Sequence, residues 1–152
     1  MRKFYSVFAV VLFSFFSLVG LSQIEQGGLP LSFEKPELIK TALVFEIMPV
    51  VDVDKLLAED SINDVFKDVP WRFGENFEVS LNPNNSGVWD LLPKGDKIWR
   101  LGINCPGAYT INLTFDKYHL PPGAKLFVYN TEKTHVIGAF TDFNNQKDGV
   151  FA

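Results

Sequence analysis

Residues 109–116, Tyr-Thr-Ile-Asn-Leu-Thr-Phe-Asp, alternate strictly between apolar and polar side chains. Tyr109, Ile111, Leu113 and Phe115 would point to one side of an extended chain, and the residues between them to the other. A period of two predicts a β-strand with one buried and one solvent-facing side. This pattern is the clearest in the chain and predicts a mainly β fold.

Shorter strand patterns lie on either side of this stretch, and clusters of Pro, Gly and Asn separate them. The predicted strands cover residues 77–81, 88–92, 99–103, 124–129 and 134–140. Several short strands at roughly regular spacing predict an antiparallel β-sandwich of jelly-roll-like form.

The arm ahead of the sandwich is predicted to be extended. Residues 23–70 contain many glycines and prolines near their start and show little periodicity. Leu29, Leu31 and Phe33 alternate, which suits pairing at a sheet edge. Residues 71–152 are then assigned to the sandwich.

One short helix is expected inside the arm. Residues 53–60 carry apolar side chains at helical spacing, and either Asp52 or Asp54 would cap the N terminus. The acidic stretch over residues 60–73 is expected to be irregular.

Residues 1–22 have the layout of a secretory signal peptide. Arg2 and Lys3 provide a basic start, residues 4–21 are almost wholly apolar, and small residues lie at the expected cleavage point. The mature chain would begin near Gln23 and be secreted, meeting a membrane only during export. The apolar run also approaches the length of an uncleaved transmembrane anchor, but no basic stop-transfer cluster follows it.

The last residues, Gly149 to Ala152, resemble the start of a strand more than a polar tail. Domains normally close with an exposed polar end. We therefore expect the sandwich to be truncated at this point, and the alternative is a final edge strand packed on it.

Composition and charge exclude several protein classes. The 152 residues are 47% hydrophobic, which is too apolar for a disordered chain, and their formal net charge is −4. An acidic chain argues against a nucleic-acid partner, because phosphate contacts need clustered Lys and Arg. The single cysteine, Cys105, allows neither an intrachain disulfide nor a cysteine-rich zinc site, and it is expected to be buried.

No residue set points to catalysis, so no catalytic, cofactor-binding or metal-binding residue is predicted. His119 and His135 lie outside any hydrolase motif, and no Gly-x-Ser-x-Gly elbow occurs. Cys105 has no histidine close to it in the sequence. The carboxylates between residues 52 and 68 lack the glycine spacing of a calcium loop, and we interpret them as a solvated acidic face.

Exposed tryptophans would offer a platform for a sugar ring. Trp71 and Trp89 are the candidates for this binding surface, although Trp89 follows a turn and could also be packed inside. Trp99 shares the apolar side of its strand and is expected in the core. Asn84 and Asn112 begin glycosylation acceptor patterns, which matter only in a eukaryotic secretory pathway.

Short motifs between residues 71 and 145 form a series, of which the most specific is the run from Leu120 to Asn130, Leu-Pro-Pro-Gly-Ala-Lys-Leu-Phe-Val-Tyr-Asn. This series resembles the N-terminal region of secreted bacterial trypsin-like serine endopeptidases of the lysyl endopeptidase type. Residues 27–33 look like the start of the same mature region, and Cys105 replaces an expected small hydroxyl residue. The motif positions are Trp99, Arg100, Leu120, Pro121, Gly123, Lys125, Tyr129 and Asn130.

The resemblance implies a β-sandwich pro-region ahead of a catalytic domain that carries the histidine, aspartate and serine. No part of that catalytic domain is present, so the resemblance implies a non-catalytic region that assists folding of, or restrains, the downstream protease domain of the same precursor. A secreted module that binds carbohydrate or a cell surface through Trp71 or Trp89 is the alternative. A plain structural exoprotein domain is the third possibility.

Overall fold

The computed structural model of the chain describes residues 25–66 and 70–152. Over these ranges the chain consists mainly of short strands and coil, with one helix of more than four residues. The predicted signal peptide over residues 1–22 lies outside the described residues. Within them, no helix is both long enough and apolar enough to cross a membrane.

The described chain divides into two compact units. One joins residues 25–28 to residues 118–149, and the other joins residues 29–117, without 67–69, to residues 150–152. The arm–sandwich boundary at residue 70 stays a prediction.

The unit built around residues 29–117 contains a parallel strand pair and an antiparallel hairpin among its described residues. Its α-helices and strands in chain order are α1 (Leu31–Glu34), β1 (Phe45–Ile47), α2 (Val53–Phe66), β2 (Val88–Leu91), β3 (Lys97–Arg100) and β4 (Gly102–Asn104). Strand β1 pairs with β4 in parallel, and β2 pairs with β3 in antiparallel fashion.

The unit built around residues 118–149 is organised by an antiparallel hairpin of β5 (Leu126–Tyr129) and β6 (Val136–Phe140). This hairpin confirms the two strands expected on either side of the turn at residues 130–133. The N-terminal arm also pairs with β6, because the Gln26 amide donates to the Ala139 carbonyl at 2.9 Å and the Ala139 amide donates to the Gly27 carbonyl at 3.2 Å.

The sheet-edge prediction for Leu29, Leu31 and Phe33 is wrong, because this stretch turns into α1. The Pro30 carbonyl accepts hydrogen bonds from the amides of Phe33 at 2.8 Å and Glu34 at 3.3 Å. These local bonds satisfy the backbone without a neighbouring strand.

Helix α2 confirms the expected helix but extends it to Phe66. Asp52 is the cap, since its Oδ1 accepts a hydrogen bond from the Lys55 amide at 3.0 Å. The prediction of an irregular chain from residue 60 is wrong over residues 61–66. No glycine or proline interrupts this stretch, and acidic residues are compatible with a helix.

The clearest alternation in the sequence does not form a strand ladder. Of residues 109–116, only Phe115 pairs, in an isolated antiparallel bridge with Phe151. The expected strand over residues 77–81 is also absent. Alternation sets which side chains share a face, but a strand also needs a neighbouring backbone, and within the described residues these stretches find one only at Phe115.

The predicted strand over residues 99–103 is interrupted at Leu101, so that β3 and β4 pair with different partners. Gly102 lies directly against the ring of Phe45 on β1. A Cβ at position 102 would come within 2.5 Å of that ring, so only glycine permits this close approach.

Few apolar side chains are fully buried in the part of the chain that the structure describes: Leu92, Tyr118, Ala139 and Phe151. Trp99, expected in the core, and Cys105, expected to be buried, are both half-buried. Over the described ranges the strands form separate two-stranded pairs, which confirms a mainly β chain and shows no closed barrel.

Candidate functional site

The β2–β3 hairpin has different chemistry on its two faces. Trp89 is the cross-strand neighbour of Trp99, while Asp90 faces Ile98 and Arg100 faces Val88. Because successive residues of a strand alternate between faces, the two tryptophans share one face and the Asp90–Arg100 pair lies on the other.

Both tryptophans of this hairpin anchor the turn that precedes it. The Trp89 Nε1–H donates to the Pro83 carbonyl at 2.9 Å, and the Trp99 Nε1–H donates to the Ser86 carbonyl at 2.8 Å. Trp89 nevertheless leaves 49% of its surface exposed. About half of its surface is therefore accessible, while its polar atom already has a hydrogen-bond partner.

Gly87 allows the turn to approach the hairpin closely. Its φ angle is +72°, and a Cβ at this position would lie 2.6 Å from both the Trp99 Nε1 and the Arg100 carbonyl oxygen. A side chain here would meet backbone and indole at once, which requires glycine.

Asp90 ties the opposite face of the hairpin to the chain ahead of β1. Its Oδ1 accepts hydrogen bonds from the backbone amides of Lys40 at 3.0 Å and Thr41 at 2.9 Å. Its Oδ2 pairs with the Arg100 Nη2 at 2.8 Å, and the same nitrogen donates to the Thr41 carbonyl at 2.5 Å. One carboxylate and one guanidinium thus fix the position of residues 40 and 41.

The charge of Asp90 is stabilised in this buried position. Burial on its own raises the pKa of the carboxyl, but hydrogen bonds from Thr41, Arg100 and Lys40 outweigh it and lower the pKa to about 2. The Arg100 Nε is buried with no hydrogen-bond partner in the described structure. The Arg100 Nη2 donates both to Asp90 and to the Thr41 carbonyl.

Trp71 borders a shallow cleft of about 310 Å³ at the C-terminal part of α2. Trp71 is 73% exposed, so its ring is accessible to a ligand. The cleft is lined by Asp60, Asn63, Asp64, Pro70, Trp71 and Arg72.

Arg72 holds the chain after α2 against the acidic face of that helix. Its Nη2 lies 2.9 Å from Glu59 Oε2, and its Nε lies 3.1 Å from Asp60 Oδ1. The hydrogen bond that Arg72 donates to Glu59 is the main cause of the raised pKa of Arg72, which desolvation opposes and the charge of Asp60 reinforces. Two of the carboxylates interpreted as solvated are thus engaged in ion pairs.

The structure places the two candidate tryptophans on different elements. Trp71 follows α2 and Trp89 lies on β2, and Trp89 does not line the cleft beside Trp71. The carbohydrate platform stays a prediction, and it would have to be built on each tryptophan separately.

The first half of the family-like motif forms a clamped turn. The Leu120 amide donates to the Asn145 Oδ1, and the Asn145 Nδ2 donates to the Leu120 carbonyl, both at 2.9 Å. The Ala124 amide donates to the Pro121 carbonyl at 3.0 Å, and Gly123 has a φ of +86°, as a type II turn with proline before glycine requires.

The second half of the motif closes the β5–β6 hairpin. The Asn130 Oδ1 accepts hydrogen bonds from the amides of Thr134 at 2.9 Å and His135 at 3.0 Å. Tyr129 is the last residue of β5, and the exposed Lys125 immediately precedes the first residue of this strand. The motif residues of this unit thus act as a scaffold.

The two histidines lie at the surface of the described structure. His119 and His135 are exposed, and His135 Nδ1 lies 3.1 Å from Thr134 Oγ1. Among the described residues, no group of three or more His, Cys, Asp or Glu is placed to hold a metal ion.

Sequence reasoning missed the cluster of Asp90 with Lys40 and Thr41. The available signal was a charged residue inside the short apolar strand Val88–Leu91, since a carboxylate is seldom buried without partners. The identity of the partners could not be inferred, because they lie about fifty residues away in the chain.

No family model matches the chain, and no solved structure matches it. Function is therefore inferred from the sequence resemblance and from the geometry described above.

Proposed function

We propose that this chain is the non-catalytic N-terminal pro- or accessory region of a secreted serine endopeptidase of the lysyl endopeptidase type. It assists folding of the downstream protease domain of the same precursor, or restrains that domain until it is cleaved. In the precursor, the two antiparallel hairpins belong to a β-sandwich that packs against the protease domain.

The observation that carries this proposal is the uncovered parallel pair of β1 and β4. Parallel strands are normally covered on both faces, because their side chains are apolar. Ile47 is nevertheless 69% exposed, and Phe45, on the same face of β1, is 43% exposed. An apolar strand face of this kind supports docking against another folded surface.

The family-like motif agrees with an accessory role. Leu120 and Asn130 hold their turns through hydrogen bonds, and Gly123 supplies the positive φ that its turn requires. Their contacts support a scaffold that supplies shape and leaves the chemistry to another domain.

Co-expression of the protease domain with and without residues 23–152 tests the proposal. We expect a higher yield of active protease, or a delayed onset of activity, when these residues are present. The proposal is refuted if both cultures give the same yield of active protease and the same onset of its activity.

A matched pair of variants locates the docking face. Ile47→Lys adds a charge to the exposed face of β1, and we expect it to reduce the assistance or restraint. Ile62→Lys is the control, because Ile62 is 62% exposed on α2, away from the strand face. Equal effects of the two substitutions would remove β1 from the docking surface.

The alternative function is binding of carbohydrate or of a cell surface. The exposed rings of Trp71 and Trp89 favour it. A glycan pull-down that is lost in Trp89→Ala or Trp71→Ala, with unchanged protease yield, would replace the protease-linked role with this one.

A further inference from the structure

Residues 109–114 have the pattern of a strand but no backbone partner in the described structure. No backbone hydrogen bond is found for them, and Tyr109 and Ile111 are 85% and 46% exposed. The segment is also uncharged and free of proline and glycine. Such a segment pairs readily with any strand that reaches it.

The adjoining bridge fixes the register in which a partner strand would lie. The Phe115 amide donates to the Phe151 carbonyl at 2.7 Å, and the Phe151 amide donates to the Phe115 carbonyl at 3.0 Å. In an antiparallel ladder, hydrogen-bonded pairs recur at every second residue. Leu113 would therefore pair with the second residue after Phe151, and Ile111 with the fourth.

We propose that the precursor segment immediately after Ala152 adds to residues 109–114 as an antiparallel strand. This inference rests on the proposed function, in which further chain follows Ala152. It identifies the segment 109–114 as the place where the link to the protease domain is fixed to the accessory region.

The Phe115–Phe151 bridge favours this occupant over a second copy of the chain. The bridge already sets the direction of the chain at residue 151, so the following residues run alongside Leu113 and Ile111 without closing a further loop. A second copy would have to supply its strand at the entropic cost of association.

The pairing also predicts the pattern of the segment itself. Side chains of hydrogen-bonded partners lie on the same face of a ladder. Because Ile111 and Leu113 share the apolar face with Tyr109, the second, fourth and sixth residues after Phe151 should be apolar, and the residues between them polar.

Amide hydrogen exchange of the precursor, compared with that of the 152-residue chain, tests the pairing. In the precursor we expect exchange at Ile111 and Leu113 to slow by about tenfold or more, while Asn112, whose amide points to the opposite edge, stays fast. Unchanged exchange at Ile111 and Leu113 overturns the proposal. A second copy of the chain is the partner if Ile111 and Leu113 exchange slowly in the 152-residue chain and become slower as the protein concentration rises. That result also overturns the proposal.

Two proline variants in the precursor provide the matched control. Leu113→Pro removes an amide that faces the partner strand and should abolish the slow exchange at Ile111, whereas Asn112→Pro removes an amide that faces away and should preserve it. Exchange in the β2–β3 hairpin, which belongs to the same unit as residues 109–114, shows whether each variant is folded. Equal loss in two folded variants contradicts the pairing.

The two proposals fail in different ways. Slow exchange at Ile111 and Leu113 with protease yield that does not depend on residues 23–152 keeps the added strand and removes the assisting role. If Ile111 and Leu113 exchange fast but the protease yield depends on residues 23–152, the assisting role stands and the added strand is refuted.

Discussion

Replacing Asp90 by asparagine should destabilise the unit that contains the β2–β3 hairpin. The amide oxygen of asparagine can still accept hydrogen bonds from the Lys40 and Thr41 amides, so the substitution removes mainly the negative charge. Arg100, whose side chain is only 13% exposed, then lacks its counter-ion. The decrease in the free energy of unfolding therefore measures the contribution of the negative charge of Asp90.

The magnitude follows from the burial of the pair. Breaking a buried ion pair by removing one partner costs about 3 to 5 kcal/mol. Arg100 keeps its hydrogen bond to the Thr41 carbonyl, and the asparagine keeps the amide contacts, so we expect about 2 to 3 kcal/mol in Asp90→Asn.

Urea denaturation followed by tryptophan fluorescence is the suitable assay, because Trp89 and Trp99 lie on the same hairpin. Asp96→Asn is the control: Asp96 is an exposed residue of the turn between β2 and β3, and its replacement should cost less than about 0.5 kcal/mol. If Asp90→Asn costs no more than this control, the buried pair does not hold residues 40 and 41 as described.

Three further predictions concern the same hairpin. The pKa of Asp90 is about 2 in the folded chain against an ordinary value of 3.8. Its contribution to the free energy of unfolding is therefore complete above about pH 4 and is lost as the pH falls towards 2. Unfolding measured as a function of pH should show this loss in the native chain and not in Asp90→Asn. Arg100→Lys should lower the free energy of unfolding in urea by less than about 1 kcal/mol, because the Nη2 atom makes both contacts described for the guanidinium and the unpartnered Nε is removed. A loss as large as that of Asp90→Asn would refute this. Gly87→Ala should lower the thermal midpoint more than Gly95→Ala, since both glycines have positive φ but only Gly87 would bring a Cβ against Trp99; equal shifts would show that the contact is unimportant.

The local pattern predicted the β5–β6 hairpin correctly. The β5–β6 hairpin follows from two apolar stretches and the polar turn between them, all within residues 124–140. Hydrogen bonds from the amides of Thr134 and His135 to the Asn130 Oδ1 close that turn. Every contact in this argument is close in sequence, so composition and spacing were sufficient.

Distant pairing could not be predicted in the same way. The alternation of residues 109–116 is more regular than that of β5, yet only Phe115 pairs, because pairing depends on which backbone lies alongside. The buried contact of Asp90 with Lys40 and Thr41 has the same origin: its partners are brought together by the fold and leave no spacing pattern in the sequence.

Mixing residues 23–152 with the separately produced protease domain of the proposed precursor is the decisive test of the accessory role. The proposal predicts a stoichiometric complex on size-exclusion chromatography, a changed onset of peptidase activity, and no peptide hydrolysis by the chain on its own. The proposal would be contradicted if the isolated chain hydrolyses a peptide. It would also be contradicted if adding the chain changes neither the association state nor the activity of the protease.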